Sequence, residues 1–340
     1  MDRRDFLQRS AGTLAIATLN ASRLHAFGSP LTFHSSEMTA SEFHSGRSFV
    51  TTDQGRIACI DKGTGSGALL LHGFPLNSFQ WRGVIPQLSK LRRCIAPDFL
   101  GLGYTEVADG QSVAPEAQVA MLVQLLDKLS IPEVDIVAND SGGAIAQLFV
   151  TRYPKRVSSL LLTNCDTEPD SPPTAVQPVI KLARAGKFAD EWLAPWLADK
   201  KLARSKEGLG GQCYANQAHP TDEAIETYLS PLVSSPHRRM LTNAYAMGLD
   251  PNPLKGIESA LKGCYVATRI VWGMADRIFS PTSPDYLSHT VGNSLGVRRI
   301  AGAKLFFPEE MPDVIAEEAL ALWGISPWKP KQSTSPKPAA

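Results

Sequence analysis

Long apolar runs, a charge excess of one sign and internal repeats are all missing from this sequence of 340 residues. No apolar run reaches the ~20 residues that a membrane-spanning helix needs, so no membrane span is predicted. The 34 basic side chains nearly balance the 33 acidic ones, the net charge is +1, and no long basic stripe occurs. A nucleic acid is therefore not expected as a partner, and the sequence leaves the oligomeric state open.

Cysteine is also scarce, and its spacing does not suit a metal site. The five cysteines are odd in number, and four of them lie in or beside predicted strands. A thiol in that setting is most often a small core residue. The cysteines are Cys59, Cys94, Cys165, Cys213 and Cys264. We expect no metal ion and no cofactor, while an oxidising compartment would still allow a disulfide.

The N-terminus has the composition of a targeting segment. Arg3 and Arg4 are followed by Phe6 and Leu7 and then by a mildly apolar stretch. This pattern resembles a twin-arginine signal peptide, so residues 1–28 are predicted to direct export of the folded protein to a bacterial periplasm. An uncleaved amphipathic helix is the alternative. A polar linker is predicted over 29–45, and a disordered tail rich in Pro, Ser and Lys over 327–340.

The rest of the chain, in a sequence with 43% hydrophobic residues, can bury one large core and a smaller appendage. Short strand patterns alternate with helical patterns in 46–166 and again in 257–326, which predicts an α/β fold with a mostly parallel sheet and helices on both faces. Residues 167–256 show helical patterns without a convincing strand. They predict a helical cap inserted after the sixth main strand. A single helix is expected from Asn77 to Leu91.

One stretch, Val134 to Ala146, changes from an apolar strand pattern to an apolar helix pattern at Asp140. So tight a turn needs small neighbours, because a bulky Cβ would collide where strand and helix nearly touch. Ala138 and Gly142 stand two positions before and two after Asp140. If Ser141 were the exposed residue instead, an asparagine would occupy the small position. Asp140 is therefore the predicted nucleophile, and helix capping is the alternative.

This junction resembles the nucleophile elbow of the α/β-hydrolase superfamily. Within it, the resemblance is to the branch with an aspartate nucleophile, which includes epoxide hydrolases, haloalkane dehalogenases and fluoroacetate dehalogenases. The segment from His72 to Pro75 resembles the oxyanion turn of the same family. The resemblance covers about Gly46 to Trp323. It implies that the backbone N–H groups of Phe74 and Ser141 stabilise developing negative charge, and that His72 only orients the turn.

The resemblance also implies that aromatic side chains of the cap line a pocket for a small apolar substrate. Epoxide hydrolases use two cap tyrosines to donate hydrogen bonds to the opening ring oxygen. The pocket candidates here are Trp192, Trp196, Tyr214, Tyr228 and Tyr245. Ordinary packing is the alternative for each of them.

The acid of the site can be placed, but the base is missing. The segment from Trp272 to Asp276 resembles the acid motif of the family, so Asp276 is the expected orienter of the catalytic base. Asp166 is the alternative acid. Relatives carry the catalytic histidine after the last strand, where this sequence has Leu305, and no histidine follows His289.

The missing base matters because an aspartyl ester is hydrolysed by activated water. General-base catalysis contributes ~10²- to 10⁴-fold to such a step. Four residues are considered as substitutes: His219, His237, Glu309 and Glu310. The sequence alone does not bring any of them next to Asp140.

Three functions remain open at this point. The first is hydrolysis at an sp³ carbon with Asp140 as nucleophile, through a covalent alkyl ester. The second is a serine esterase that uses Ser141. The third is a lyase, a ligand-binding protein or a catalytically silent relative that keeps the pocket. Haloalkane dehalogenases usually place tryptophan directly after the nucleophile and fluoroacetate dehalogenases arginine, so Ser141 at that position favours an epoxide or ester-like substrate.

Overall fold

Eight strands form one sheet in the computed structural model, which describes residues 37–325. The strands are β1 (Arg47–Thr52), β2 (Gly55–Lys62), β3 (Gly67–Leu71), β4 (Arg93–Pro97), β5 (Val134–Asp140), β6 (Val157–Cys165), β7 (Ala267–Gly273) and β8 (Ser294–Ile300). Their order across the sheet is β1-β2-β4-β3-β5-β6-β7-β8. The pairs β1–β2 and β2–β4 are antiparallel, and the remaining pairs are parallel.

Every residue of β3 and of β5 is buried. A central parallel strand is covered on both faces by helices, which explains why these strands are apolar without alternation. The predicted α/β fold with a mostly parallel sheet is therefore confirmed. The hairpin around residue 54 joins β1 and β2, as the alternating pattern indicates.

The first four helices are α1 (Ala40–Ser45), α2 (Ile85–Leu88), α3 (Pro115–Lys128) and α4 (Ser141–Arg152). The prediction of one helix from Asn77 to Leu91 is wrong, because a 3₁₀ turn at Ser78–Trp81 is separated from the short α2. Gly83 lies in this interruption, and Pro86 is the second residue of α2. Proline has no N–H to donate, and its ring clashes with the preceding helical turn, so a continuous helix is unfavourable there.

Residues 40–45 were expected to belong to the linker, but they form α1. Thr39 and Glu42 cap this helix reciprocally: each side chain hydrogen bonds to the backbone N–H of the other. Phe43 is buried, and its ring lies edge-on to Phe79 with centroids 5.2 Å apart. A buried aromatic side chain and a capping box together give this short helix its stability.

The segment between β6 and β7 is helical, as the cap prediction requires. It contains α5 (Gln177–Arg184), a π-helical turn (Ala189–Leu193) that continues into α6 (Ala194–Ala198), and α7 (Lys200–Arg204), α8 (Leu209–Cys213), α9 (Asp222–Val233) and α10 (Pro236–Met247). The short α7 and α8 have no clear periodicity in the sequence. The insertion after the sixth strand is part of the confirmed fold class.

The chain closes with α11 (Glu258–Lys262), α12 (Ser283–Thr290), α13 (Phe307–Glu310) and α14 (Pro312–Leu322). The predicted signal peptide (1–28), the first part of the predicted linker and the predicted tail (327–340) lie outside the described residues. Between residues 37 and 325, no helix is both long and apolar enough to cross a membrane. The parallel arrangement brings the carboxyl ends of β3, β5, β6, β7 and β8 to the same edge of the sheet.

Candidate active site

The junction of β5 and α4 has the geometry of a sharp strand-to-helix turn. Asp140 adopts a left-handed backbone conformation with φ of 55°, which is uncommon for a side chain other than glycine. A Cβ at Gly142 would lie 2.5 Å from the carbonyl oxygen of His72, so only glycine fits there. The Asp140 side chain makes no capping hydrogen bond to α4. The capping alternative for Asp140 is therefore not supported.

The segment after β3 presents its backbone to this carboxylate. The N–H of Phe74 donates to Asp140 Oδ2 over 2.6 Å, and the N–H of Ser141 also hydrogen bonds to the carboxylate. His72 faces the backbone with both ring nitrogens: Nδ1 lies 2.8 Å from the carbonyl oxygen of Gly73, and Nε2 accepts the Phe99 N–H over 3.1 Å. Both N–H groups predicted for the oxyanion site are thus beside Asp140, and His72 holds the turn.

A cavity of about 450 Å³ opens above Asp140 between the sheet edge and the helical insertion. Its wall is largely apolar and includes Phe188, Leu209 and Phe279. The predicted pocket residues Trp192 and Trp196 also lie in this wall.

The structure contradicts the pocket prediction for two of the three tyrosines. The hydroxyl groups of Tyr214 and Tyr228 donate to Glu309 Oε2 over 2.8 Å and 2.7 Å, away from the cavity wall. A buried phenol needs a hydrogen-bond partner, and the carboxylate of α13 supplies it for both. The Tyr245 hydroxyl lies 3.1 Å from Ser141 Oγ, in a smaller adjoining cavity.

Two further carboxylates, Asp166 and Asp276, follow the neighbouring strands β6 and β7. They are the two acids predicted from the sequence. After β7, Asp276 Oδ2 accepts from Asn164 Nδ2 over 2.7 Å, and its Oδ1 accepts the Ile278 N–H over 2.9 Å. After β6, Asp166 lies in the cavity wall, and its Oδ1 accepts the Ser171 hydroxyl over 2.9 Å. Asp276 is thus held by its own loop, whereas Asp166 faces the space above Asp140.

Burial is the largest influence on the pKa values of Asp140, Asp166 and Asp276, and no basic side chain is among the main influences. Burial raises the pKa of Asp140 to about 7, against the opposing hydrogen bonds from Phe74 and Ser141. Burial and the neighbouring Asp140 raise the pKa of Asp166 to about 8. The pKa of Asp276 is raised by burial as well. A carboxylate removed from water without a cation favours its neutral form.

A buried amide network, which the sequence analysis missed, joins the loops of the site. Gln80 accepts the Gly73 N–H over 2.9 Å and donates to Asn139 Oδ1 over 2.7 Å. Asn139 Nδ2 in turn donates to the carbonyl oxygens of Leu305 and Asn164, over 3.1 Å and 3.2 Å. Asn139, a polar residue in an otherwise apolar strand beside the predicted nucleophile, was the sequence signal for this network. A buried amide needs partners for all of its hydrogen-bonding groups, so it indicates further polar groups nearby.

The position expected for the base holds an apolar side chain. Leu305 is buried and lies in the cavity wall. None of the four considered substitutes lines that wall. Of the histidines in the described part of the chain, none does so either.

The four substitutes make other interactions instead. Glu309 forms an ion pair with Arg82 over 2.9 Å, and His219 lies 3.9 Å from Glu309 Oε1. Glu310 accepts the backbone N–H groups of residues 215 and 216. His237 lies 2.8 Å from Asp109. The hypothesis that one of them replaces the base beside Asp140 is not supported by these positions.

Comparison with known proteins identifies the family to which this architecture belongs. Residues 69–310 match the family model described as alpha/beta hydrolase fold. The chain is 41% identical over 105 residues to 2-hydroxy-6-oxo-2,4-heptadienoate hydrolase of Pseudomonas putida, a match that spans 30% of this chain and only 38% of that protein's length. It is 26% identical over 277 residues to haloalkane dehalogenase 2 of Mycobacterium tuberculosis, covering 80% of this chain and 93% of that protein.

Among solved structures, an alpha/beta hydrolase fold protein from Burkholderia ambifaria superposes with a TM-score of 0.70 at 23% identity, over 80% of this chain and 96% of that one. At that identity the likeness concerns the fold. The family match, in contrast, runs from β3 to α13 and so includes the sheet, the helical insertion and the cavity between them. The chain therefore belongs to the α/β-hydrolase fold family.

Proposed function

We propose that this hydrolase attacks an sp³ carbon of a small apolar substrate with the carboxylate of Asp140 and forms a covalent alkyl ester. The observation that carries the proposal is the position of Asp140 in the cavity wall, at a left-handed strand-to-helix turn, with the Phe74 N–H 2.6 Å from Oδ2. When water attacks the ester carbonyl, the N–H groups of Phe74 and Ser141 stabilise the oxyanion that forms on this carboxyl group.

The same surroundings favour Asp140 over Ser141 as nucleophile. A serine hydroxyl has to lose a proton to a neighbouring base, and within the described residues no histidine reaches the cavity wall. Ser141 Oγ instead lies 3.1 Å from the hydroxyl of Tyr245. A carboxyl group with a pKa of about 7 is about half ionised at neutral pH and needs no such partner.

The cavity supports a substrate of modest size and low polarity. Its volume of about 450 Å³ lies within the usual range for small-molecule pockets, ~300–1,000 Å³. Phe188, Trp192 and Trp196 give its wall aromatic surface without charge. An apolar body with one polar, reactive end fits a site in which the buried carboxylates, Asp140 and Asp166, lie at the sheet edge.

The test is a panel of epoxides, bromoalkanes and activated esters, incubated with the protein in ¹⁸O-labelled water under single-turnover conditions. Water that attacks the carbonyl carbon of an aspartyl ester leaves one labelled oxygen in the peptide that contains Asp140. We expect label in that peptide, or a covalent adduct on it, for at least one substrate class. Asp140→Asn should show neither, and Ser141→Ala should show both. Activity that is lost only in Ser141→Ala would overturn the assignment.

Leu305 gives specific support to a second candidate, a protein that forms the ester and does not release it. In that case an adduct on Asp140 would persist, and Leu305→His would convert it to product. Absence of both adduct and product over the whole panel would favour the ligand-binding or silent alternative.

We also propose that the protein is exported through the twin-arginine pathway, which Arg3, Arg4 and the apolar stretch after them support. Cell fractionation of the full chain tests it. Replacement of both arginines by lysine should retain the protein in the cytoplasm. An unchanged distribution would overturn the proposal.

A further inference from the structure

The cavity offers few groups that could take or give a proton. Apart from Asp140 itself, the carboxylates in its wall are those of Asp166 and Glu207. Glu207 is exposed at the mouth of the cavity, whereas Asp166 is buried. Leu305 removes the usual base from the opposite loop. If the Asp140 ester is to be hydrolysed, the proton acceptor must come from this short inventory or from bulk water.

Sheet register places Asp166 next to the predicted nucleophile. Asp140 pairs with Cys165 across the parallel strands β5 and β6, and Asp166 is the next residue along the chain. Neighbouring strands lie about 4.8 Å apart, so the two carboxyl groups start from adjacent backbone positions at the same sheet edge. Asp166 also reaches the smaller cavity shared with Ser141 and Tyr245. It thus borders the space on two sides of the reacting carboxylate.

We propose that Asp166 is the general acid and general base of this hydrolase, in the role that the family gives to histidine. The proposal rests on the Asp140 ester proposed above. Two observations support it besides the register. The Ser171 hydroxyl donates to Asp166 Oδ1 over 2.9 Å, and Asp166 lines the cavity together with Asp140. Asp276, the other candidate acid, is held by Asn164 and its own loop and is absent from the cavity wall.

The pKa values of the two carboxyl groups agree with Asp140 as nucleophile and Asp166 as acid and base. Burial and the Asp140 charge raise the pKa of Asp166 to about 8, and burial raises that of Asp140 to about 7. Near neutral pH, Asp140 is therefore the more readily ionised of the two carboxyl groups, and Asp166 is the more readily protonated. Interacting carboxyl groups that titrate apart in this way can serve as nucleophile and acid in the same site.

For an epoxide the steps balance as follows. The Asp140 carboxylate forms a bond to a ring carbon, the ring C–O bond breaks, and the leaving oxygen takes the proton of Asp166. Asp166, now a carboxylate, takes a proton from water as the water oxygen bonds to the ester carbonyl carbon. The tetrahedral intermediate then expels the diol oxygen, which takes the remaining carboxyl proton of Asp140. The cycle consumes one water and returns Asp140 ionised and Asp166 protonated.

A proton donor in the wall also selects the leaving group. A departing alkoxide is strongly basic and needs a proton, whereas a bromide ion does not. The site therefore fits substrates whose leaving atom is oxygen, an epoxide above all. Bromoalkanes become useful probes, because their first step does not depend on Asp166.

The experiment compares Asp166→Asn with the unmodified protein on one epoxide and one activated bromoalkane of similar size. With the bromoalkane, we expect Asp166→Asn to release one bromide per protein in a burst and then to stop, with the adduct on Asp140. With the epoxide, we expect both adduct formation and turnover to fall by about 10² or more, the size of a lost general acid–base group. Asp170→Asn is the matched control, since it makes the same chemical change in the same loop outside the cavity wall. It should retain turnover and shift the pH profile only slightly, because the Asp170 charge is the smallest named contribution to the raised pKa of Asp166.

Three results would overturn the proposal. Multiple turnovers of bromoalkane by Asp166→Asn at the rate of the unmodified protein would show that Asp166 is not the base. Loss of hydrolysis in Glu207→Gln but not in Asp166→Asn would assign the role to the carboxylate at the mouth. An epoxide rate unchanged in Asp166→Asn would remove the acid role. Failure of the Asp140 ester itself is distinct, because no adduct or label would then form on Asp140 in any variant.

A second variant covers the case in which Asp166→Asn does not fold. Ser171→Ala removes the hydrogen bond that favours the ionised form of Asp166, so the alkaline limb of the epoxide pH profile should move to higher pH. The titratable groups that face Asp166 are Asp140 from β5, Asp170 from its own loop, Tyr245 from α10 and the Cys165 thiol. An alkaline limb that does not move in Ser171→Ala would contradict the role of Asp166.

Discussion

Two buried carboxyl groups in this protein, Asp140 and Glu309, have opposite electrostatic surroundings. Both are removed from water, and burial opposes ionisation at each. At Glu309 burial is again the largest influence, but the Arg82 guanidinium, 2.9 Å away, and hydrogen bonds from His219, Tyr228 and Tyr214 together outweigh it and lower the pKa. At Asp140 two backbone N–H groups are the only opposing influence, and the pKa rises to about 7. The difference teaches that a cation together with side-chain hydrogen-bond donors, rather than depth of burial, separates a structural carboxylate from a reactive one.

The Glu309 cluster also explains why the predicted pocket tyrosines are elsewhere. Tyr214 follows α8 and Tyr228 lies in α9, both in the helical insertion, while Arg82 and Glu309 belong to the core. The hydrogen bonds from Tyr214 and Tyr228 fasten the insertion to Glu309 of the core, and the ion pair with Arg82 holds Glu309 in place. The tyrosines that bind Glu309 are absent from the cavity wall. The buried carboxylates in that wall, Asp140 and Asp166, have no cation among the main influences on their pKa values.

The largest effect is expected for Asp140→Asn, and retained activity in this variant would contradict the contrast between a reactive Asp140 and a structural Glu309. We expect turnover to fall below detection, because an amide is not a nucleophile toward an sp³ carbon. The same change removes a buried carboxyl group without a cation, so thermal stability should be equal or higher. Product assays and calorimetry on the same preparation test both halves. A clear loss of stability would mean that the Asp140 carboxylate is structural.

Glu309→Gln should show the reverse pattern. Removal of one partner leaves the Arg82 guanidinium buried and uncompensated, and breaking a buried ion pair in this way typically costs about 3–5 kcal/mol of unfolding free energy. Urea denaturation measures the loss. Tyr228→Phe is the milder companion change, with a loss of about 1 kcal/mol for one hydrogen bond. Full stability in Glu309→Gln would show that neither the ion pair with Arg82 nor the two tyrosine hydrogen bonds to Glu309 stabilise the fold.

The free energy of unfolding should depend on pH in opposite ways through Asp140 and Asp166 on one side and Glu309 on the other. The folded pKa values of Asp140 and Asp166, about 7 and about 8, lie above the unfolded value of about 4. The native state therefore binds more protons, and its stability should fall as pH rises from about 4 to about 8. Glu309 acts in the opposite sense, because its lowered pKa contributes stability that is lost only in acid. Unfolding free energies measured from pH 4 to 9 should be flatter in Asp140→Asn.

The smallest effect is expected for Asp276→Asn. In relatives this acid orients a histidine, and Leu305 leaves it nothing to orient. We expect turnover to change by less than about tenfold, which corresponds to ~1.4 kcal/mol in the barrier. The acid limb of the pH profile should move to lower pH, because the charge of Asp276 contributes to the raised pKa of Asp140. A loss comparable to that in Asp140→Asn would restore Asp276 as an essential acid.

The sequence pattern was sufficient to predict those parts of the site whose geometry depends on neighbouring residues in the chain. The strand, turn and helix around Asp140 follow from a short apolar run and from glycine where only glycine fits, so the elbow could be read directly. The oxyanion turn at Phe74 is local in the same way. The break in the helix after Asn77 was also readable from Gly83 and Pro86, but the helical periodicity on either side concealed it.

The sequence by itself determined the fold class, the identity of the residue at the elbow and the absence of a histidine at the usual base position. Only the tertiary structure decided which side chains face that carboxylate. Tyr214 and Tyr228 meet Glu309 across 95 and 81 residues of chain, and Asp166 reaches the cavity because β6 pairs with β5. Such partners depend on how distant segments pack, and a buried polar group accepts whichever partner the packing brings within hydrogen-bond distance.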